Sequence, residues 1–508
     1  LDTGSMIYIL IGLATLGCYL YLYLIRNFQY WRDRNVRGPT PVPMFGNIIE
    51  SAMRRTHIVF TLKKIYQDFP DEKVVGIYRM TTPTLLIRDP DIVKQVMIKD
   101  FDYFADRGVR LKNVGLGANL FHADGNTSRI LRNKFTPLFT SGKLKNMFYL
   151  INEKVDNTIK HIETITQMEP EQEVYQIVQN LAAMTIAACA FGLDIDMTEQ
   201  NNIVDALKRI NQNLLTFNYA TEINMMFPGL LSKIGASFFS EEVSDFFFGL
   251  VRQVIALREG KPSNRNDFMD LILEMKQAGE VQGAKRVEGE ETQSLEITED
   301  IMAAQAFVFY TAGYESSTST MAYVLYHLAL NPDIQDKVAA EIKEVLQRHG
   351  GEINYDTLND LIYMDRVFHE VLRLHPQGDP IIRGVTANYN IPGTDLTLKK
   401  GQTVLFSLSG LNNDEKYWPN PSKFDPDRFS PENSAKRHPA VFIPFGIGSR
   451  NCIGIRFAKI QHRLFMTKLM QRFRVEATEH TCREFQYDPY RVAIFPVGGI
   501  KMKILPRE

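Results

Sequence analysis

The sequence predicts a mainly α-helical chain with minor β structure, preceded by one apolar helix at the N-terminus. Three observations carry this. Residues 148–275 read as a succession of amphipathic helices. Thr298 and Asp300 open a long helix through Ala303, Ala304, Ala306, Phe307 and Tyr310 to about Leu330; it is apolar nearly all round and must be buried. Strand patterns are short: Lys73–Arg88 reads as two strands about the turn Met80-Thr81-Thr82-Pro83, and Pro380–Arg383 as another.

Composition bounds the function. A length of 508 residues would by itself allow two or three domains, and 44% hydrophobic residues suffice for a large core. A net charge of -1 argues against nucleic acid as a partner. Cys18, Cys189, Cys452 and Cys482 are too few and too scattered for a disulfide framework or a Cys-based zinc site, and their usage fits a reducing compartment.

In order, residues 1–5 read as expression-vector residues ahead of Met6. Residues 6–25 are uncharged and long enough to span a bilayer. Arg26, Arg32, Arg34 and Arg37 follow, which keeps the downstream chain cytosolic and argues against a cleaved signal peptide. Residues 26–46 form a basic, Pro-rich hinge, stiffened by Pro39, Pro41 and Pro43. The catalytic part is 47–508. Pro90–Lys99 reads as a helix, Phe101–Phe121 as a loop and Lys276–Ser294 as a polar surface loop. Phe227-Pro228 breaks one helix; Phe238, Phe239, Phe246, Phe247 and Phe248 are core by default. Glu370 and Arg373 share one face of a helix over Asp365–His375, by themselves a routine i, i+3 pair.

Near the C-terminus stands Phe445-Gly446-Ile447-Gly448-Ser449-Arg450-Asn451-Cys452-Ile453-Gly454. A thiolate that ligates a haem iron needs a cysteine fixed in a turn of small residues, with backbone N–H groups on the sulfur and a helix N-terminus after it. A Gly-rich loop with a structural cysteine is the plainer alternative. A dinucleotide loop fits less well, because Asn451 stands where a third Gly belongs.

The ten residues match F-x-x-G-x-R-x-C-x-G, and the chain resembles the cytochromes P450, the haem-thiolate monooxygenases. The resemblance runs from the anchor to the C-terminus and implies one mainly helical catalytic domain of the P450 fold. It implies haem b with Cys452 as axial thiolate. Gly446 and Gly454 would admit the porphyrin, and Phe445 would pack near the sulfur. Arg132, Arg383 and Arg450 would pair with propionates, Arg107 being a further candidate; Ser128 replaces the tryptophan of W-x-x-x-R. Ala312-Gly313-Tyr314-Glu315-Ser316 matches A-G-x-[DE]-T, with Ala312 and Gly313 making room for dioxygen. Glu315 and Ser316 would relay the protons that splitting O–O requires, Ser316 replacing the usual threonine. Glu370, Arg373 and Arg428 would form a buried triad, with Asn412 replacing a common histidine nearby.

The pocket would draw on Phe104, Leu116, Phe121, Phe307, Ile381 and Ile494, and the resemblance offers Phe238, Phe239, Phe246, Phe247 and Phe248 as its roof, partly in lipid, as the equal alternative to core packing. Arg129, Lys134, Lys143, Lys145, Arg456 and Lys459 would steer an acidic electron donor. The implied reaction inserts one atom of O2 into an apolar small molecule, a xenobiotic such as a plant toxin or insecticide or an endogenous lipid or hormone, at the endoplasmic reticulum membrane. Electrons would come from NADPH through a separate cytochrome P450 reductase, with cytochrome b5 as an auxiliary donor. Thr140-Ser141-Gly142-Lys143-Leu144-Lys145 resembles the stretch of insect detoxifying members and of the mammalian drug-metabolising members nearest to them, and the chain as a whole is more like the insect members that oxidise plant toxins and insecticides. A haem-thiolate isomerase or dehydratase and a non-catalytic haem protein are the alternatives.

Overall fold

The computed structural model describes residues 3–108, 115–196, 202–213, 216, 219–227, 230–233, 239–282 and 294–507. Pro228, Phe238 and most of the 276–294 loop lie outside them. The helices that matter for the site are α1 (Thr3–Ile25), α2 (Gly125–Phe135), α3 (Ser141–Met168), α4 (Val174–Phe191), α5 (Asn202–Asn213), α6 (Ala220–Met226), α7 (Glu241–Leu257), α8 (Phe268–Gln277), α9 (Glu299–Leu330), α10 (Pro332–Arg348), α11 (Ile362–Leu374) and α12 (Ile455–Arg472). The strands are β1 (Val74–Arg79), β2 (Thr82–Ile87), β3 (Glu171–Glu173), β4 (Ile381–Gly384), β5 (Thr403–Phe406), β6 (Phe473–Glu476) and β7 (Lys501–Pro506). The segment expected as one helix over Pro90–Lys99 is α-helical to Lys94 and then turns π-helical.

Helix α9 is the axis of the fold. Thr298 caps it by accepting from the Ile301 N–H, and Glu299 and Asp300 sit in its first turn, where the helix dipole favours acids. It packs against α4, α7, α10, α11 and α12. The aromatic run divides around it. Phe247 is fully buried against Phe191, Phe307 and Tyr310, with centroids 5.0–5.9 Å apart. Burying one such side chain contributes about 1.5–3 kcal/mol, so this knot fixes α7 on α9.

The larger sheet has the order β1-β2-β5-β4; β2 and β5 are parallel and the other pairs antiparallel. Alternation gives it two apolar faces. Tyr78, Leu85, Ile87, Val404 and Phe406 join one core cluster; Val75, Ile77, Leu86 and Leu405 join another. The smaller sheet, β6-β7-β3, is antiparallel and ties the C-terminus to the start of α4.

Residues 26–46 are packed rather than hinged. Trp31 is buried in the sheet core and donates its indole N–H to the Ile77 carbonyl at 2.9 Å. Asn27 donates to the Thr81 carbonyl at 3.0 Å. A Cβ on Gly38 would lie 1.9 Å from the Gly76 carbonyl, so only glycine lets the two backbones meet. The stretch is a strap along β1. Helix α1 includes an uncharged apolar span, Gly4–Ile25; of the described helices, only Val174–Phe191 is otherwise long and apolar enough to cross a membrane, and that helix is 83% buried.

Candidate active site

The cysteine turn is built by backbone bonds. The Cys452 N–H donates to the Phe445 carbonyl at 2.7 Å, Gly446 N–H to Ile443 at 2.8 Å, and Asn451 N–H to Gly448 at 3.1 Å. Gly446 and Gly448 have φ of 68° and 72°, the left-handed region. A Cβ on Gly448 would also lie 2.1 Å from the Met97 carbonyl, which seats the turn against the end of the 90–99 helix. The Phe445 ring stacks on Phe368 of α11. Cys452 is exposed, yet its sulfur is enclosed by protein and so faces an internal space. Burial pushes the thiol up; the Gly454 N–H, Arg107 and Arg132 pull it back toward the thiolate.

Four arginines gather here. Arg132 on α2 donates to the carbonyl of Asn451 at 2.7 Å and to its side-chain amide. Arg450 places its donors on the carbonyls of Ala105, Leu120 and Ala123 and on Ser128 Oγ. Ser128, where the motif has tryptophan, thereby helps to seat the cysteine turn. Arg383 on β4 is buried and donates to the Ile382 carbonyl at 2.8 Å, while its Nε has no acceptor. The Arg107 Nε likewise has none. Mutual repulsion adds to burial in lowering the proton affinity of Arg107, and none of the four makes an ion pair among the described residues. A buried cluster of cations next to a thiol is costly unless anions join it.

From Met302 to Ala329, α9 is buried at every residue except Ala312, Gly313 and Ser316. This one patch is the face the motif singles out. Ser316 Oγ donates back to the Ala312 carbonyl at 2.6 Å. Gly313 has a packing role besides the one expected. A Cβ there would lie 2.8 Å from Ile186 Cδ1, so the glycine lets α4 approach α9; Ala312 is the more open residue. Gly313→Ala is expected to lower stability by about 1–3 kcal/mol through overpacking, read as a melting-temperature drop that Ile186→Val partly reverses. A Gly313→Ala protein with unchanged melting would contradict the packing role. Glu315 is buried, its Oε1 has no partner among the described residues, and burial raises its proton affinity.

The triad is assembled on α11. Arg373 donates to both oxygens of Glu370, at 2.7 and 2.8 Å, and both side chains are fully buried. Arg428 Nε stands 3.4 Å from Glu370, and the Asp425 N–H donates to the same oxygen at 2.9 Å. Asn412 joins this network: its carbonyl accepts from Arg373 at 2.9 Å and its amide donates to the Arg373 carbonyl at 3.1 Å.

The pocket candidates separate. Leu116 lies in a short turn packed on α9. Phe307 belongs to the aromatic knot, Phe121 is exposed beneath the Arg107 guanidinium, and Ile381 is half-buried on β4. Ile494 is buried, and its carbonyl accepts the Tyr323 hydroxyl at 3.3 Å. Phe104 packs edge-on to Tyr389 in the sheet core with Val93, Val96 and Met97. Three of the six proposed donor-steering cations carry their own acids: Arg129 with Asp102, Lys145 with Asp356 and Lys459 with Asp365. Sequence reasoning missed Gln305. Its amide accepts from the Leu120 N–H at 2.9 Å and donates to the Ala118 carbonyl at 3.0 Å. The signal was a lone amide in an apolar helix, which burial makes costly unless it is bonded.

Comparison with known proteins agrees with this geometry. The profile of the cytochrome P450 family matches residues 36–503. Cytochrome P450 6B2 of Helicoverpa armigera is 49% identical over 489 residues, covering 96% of each chain. Cytochrome P450 6B5 of Papilio glaucus is 51% identical over 480 residues, 94% of this chain and all of that one. Cytochrome P450 6a2 of Drosophila melanogaster is 36% identical over 518 residues, 98% of this chain and 99% of its own. With nearly the whole length matched, the chain belongs to the cytochrome P450 family, the haem-thiolate monooxygenases.

Proposed function

We propose that this chain is an endoplasmic reticulum monooxygenase, anchored by residues 6–25 with its catalytic domain in the cytosol. It takes electrons from NADPH through a separate reductase, with cytochrome b5 as a second donor. Its substrates are apolar small molecules, among them plant toxins and insecticides. The observation that carries the reading is the enclosed Cys452 thiol, held by the Gly454 N–H beside arginines that lack acids of their own. That donor set fits a haem: Cys452 would supply the thiolate ligand, Arg383 and Arg107 have unused donors that would meet carboxylates, and Arg132 and Arg450 hold the turn and add positive charge. A thiolate-ligated haem supplies oxygen activation by pushing electron density toward O–O cleavage. The protein's part is to keep water from the apolar face of α9, to seat the substrate near Ala312, and to hold a proton at Glu315 with Ser316 alongside.

The test is turnover of ethoxycoumarin, an apolar aromatic ether, by the full chain with reductase. Dealkylation that requires both NADPH and reductase is expected. Rearrangement of an organic hydroperoxide without reductase, and no NADPH-dependent product, would favour the isomerase reading instead.

A further inference from the structure

The Leu120 peptide is held from two sides. Its N–H donates to Gln305 Oε1 of α9 at 2.9 Å, and its carbonyl accepts from Arg450 of the cysteine turn and from Ser128 of α2, each at 3.1 Å. Arg450 also donates to Ser128 Oγ, so the groups around the carbonyl are joined to one another. Gln305 uses its other end as well, where Nε2 donates to the Ala118 carbonyl at 3.0 Å. Gln305, Ser128 and Arg450 are all buried. An indole at position 128 would have a donor and no acceptor, and so could not accept from Arg450 while donating to Leu120. The serine that departs from the motif is therefore what completes this arrangement.

The segment between the holds is stiff. Asn119 is fully buried; its Nδ2 donates to the Leu116 carbonyl at 2.6 Å, and its Oδ1 accepts from the N–H groups of Phe121 and His122 at 2.9 and 3.0 Å. The Ala123 N–H donates to the Asn119 carbonyl at 2.9 Å, and the Ala123 carbonyl accepts from Arg450 at 3.2 Å. Residues 116–123 thus shift together or not at all.

Their place follows from helix geometry. Gln305 precedes Ala312 by two turns, which puts both on one face of α9, about 10 Å apart along the axis. Between Met302 and Ala329 the helix is open only at Ala312, Gly313 and Ser316. The 116–123 piece covers the N-terminal continuation of that open patch, and its other edge hangs on the cysteine turn. It is a side wall of the space between Ala312 and Cys452.

We propose that Gln305 and Ser128 are positioning residues that clamp the Leu120 peptide between them, and that this clamp decides how bulky a molecule the space accepts. The inference rests on the substrate position proposed beside Ala312. Fixed at both edges, the wall resists displacement by a large ligand. Released at either edge, it gives way, and large ligands gain relative to small ones.

The experiment uses the haem-loaded full chain in its resting state, without reductase or NADPH. Amide hydrogen exchange is followed over 116–123. Binding of imidazole and of the bulkier N-benzylimidazole, which ligate haem iron, is titrated by the shift of the Soret band. Gln305→Leu should speed exchange over 116–123 by about tenfold, the consequence of losing a buried hydrogen bond. It should also shift the ratio of the two dissociation constants by several-fold in favour of the bulkier ligand. Gln305→Glu keeps the acceptor for the Leu120 N–H and loses the donor to Ala118, so it should show a smaller shift in the same direction; it decides the matter if Gln305→Leu does not fold. Ser128→Ala should shift the ratio in the same direction, and the double variant should shift it by less than the product of the two, because both act on one peptide. An unchanged ratio in the Gln305 variants overturns the role in size selection even where exchange is faster. A double variant that equals the product overturns the shared clamp. No Soret shift with either imidazole in the wild type overturns the proposed substrate space itself, and this inference with it.

Discussion

Glu370→Ala is expected to yield chain without haem. The carboxylate sits between two cations, bonded through both oxygens to Arg373 and 3.4 Å from Arg428 Nε, with both members of the closer pair fully buried. Deleting it leaves Arg373 facing Arg428 without a counter-charge. Breaking a buried pair in this way costs about 3–5 kcal/mol, a large part of the roughly 5–15 kcal/mol by which a domain is stable. The remaining partners of Arg373, the Asn412 and Lys423 carbonyls and the Trp418 ring, orient its charge without cancelling it. The damage falls near the cysteine turn, because α11 also carries Phe368, on which Phe445 stacks. Glu370→Gln keeps an acceptor for the Asp425 N–H and should lose less. Haem absorbance per protein and resistance to limited proteolysis measure the effect. Wild-type values of both in Glu370→Ala would remove the triad from its structural role.

Cys452→Ser should act in the opposite way, sparing the fold and abolishing the chemistry. Serine is close to cysteine in size, so the exchange leaves no sizeable cavity and forces no overpacking. The backbone bonds that shape the turn involve the Cys452 N–H and the glycines, not the sulfur. A hydroxyl, however, does not ionise as a thiol does, so the Gly454 N–H and the nearby arginines have no anion to stabilise. The reduced protein under carbon monoxide should lose the long-wavelength Soret band of thiolate ligation, and NADPH-dependent turnover should disappear, with melting little changed. Persistence of that band in Cys452→Ser would mean that another residue ligates the iron.

The large features of this fold could be read from the sequence because they depend on short-range pattern. The cap at Thr298, the apolar α9, the strand pair about Met80 and the cysteine turn all follow from residues close to one another in the chain. What was not legible depends on contacts between distant segments. Gly313 reads as space beside the helix, but its crowding comes from Ile186 on α4. Phe104 reads as a pocket residue because its loop does; Tyr389, nearly three hundred positions on, draws it into the sheet core. Arg450 matches a propionate arginine by motif, yet it also bonds carbonyls in the 105–123 region and the Ser128 hydroxyl. Leu120 is the clearest case: its N–H is bonded by Gln305 of α9 and its carbonyl by Arg450 of the cysteine turn, so a residue with no chemistry of its own joins the two halves of the site.

The strap formed by residues 26–46 makes the N-terminal helix a handle rather than a tether. With Trp31 locked under the sheet and Asn27 bonded to Thr81, a turn of α1 about its axis is passed on to β1 and β2 instead of being absorbed. The end of α1 also meets α6: Tyr23 stacks on Phe227, and Thr82 donates to the Met225 carbonyl at 2.7 Å. Were α1 to lie in a bilayer, the thickness and tilt that suit it would set the height and pitch at which the domain rides, and lipid composition would become a mechanical input passed to the sheet.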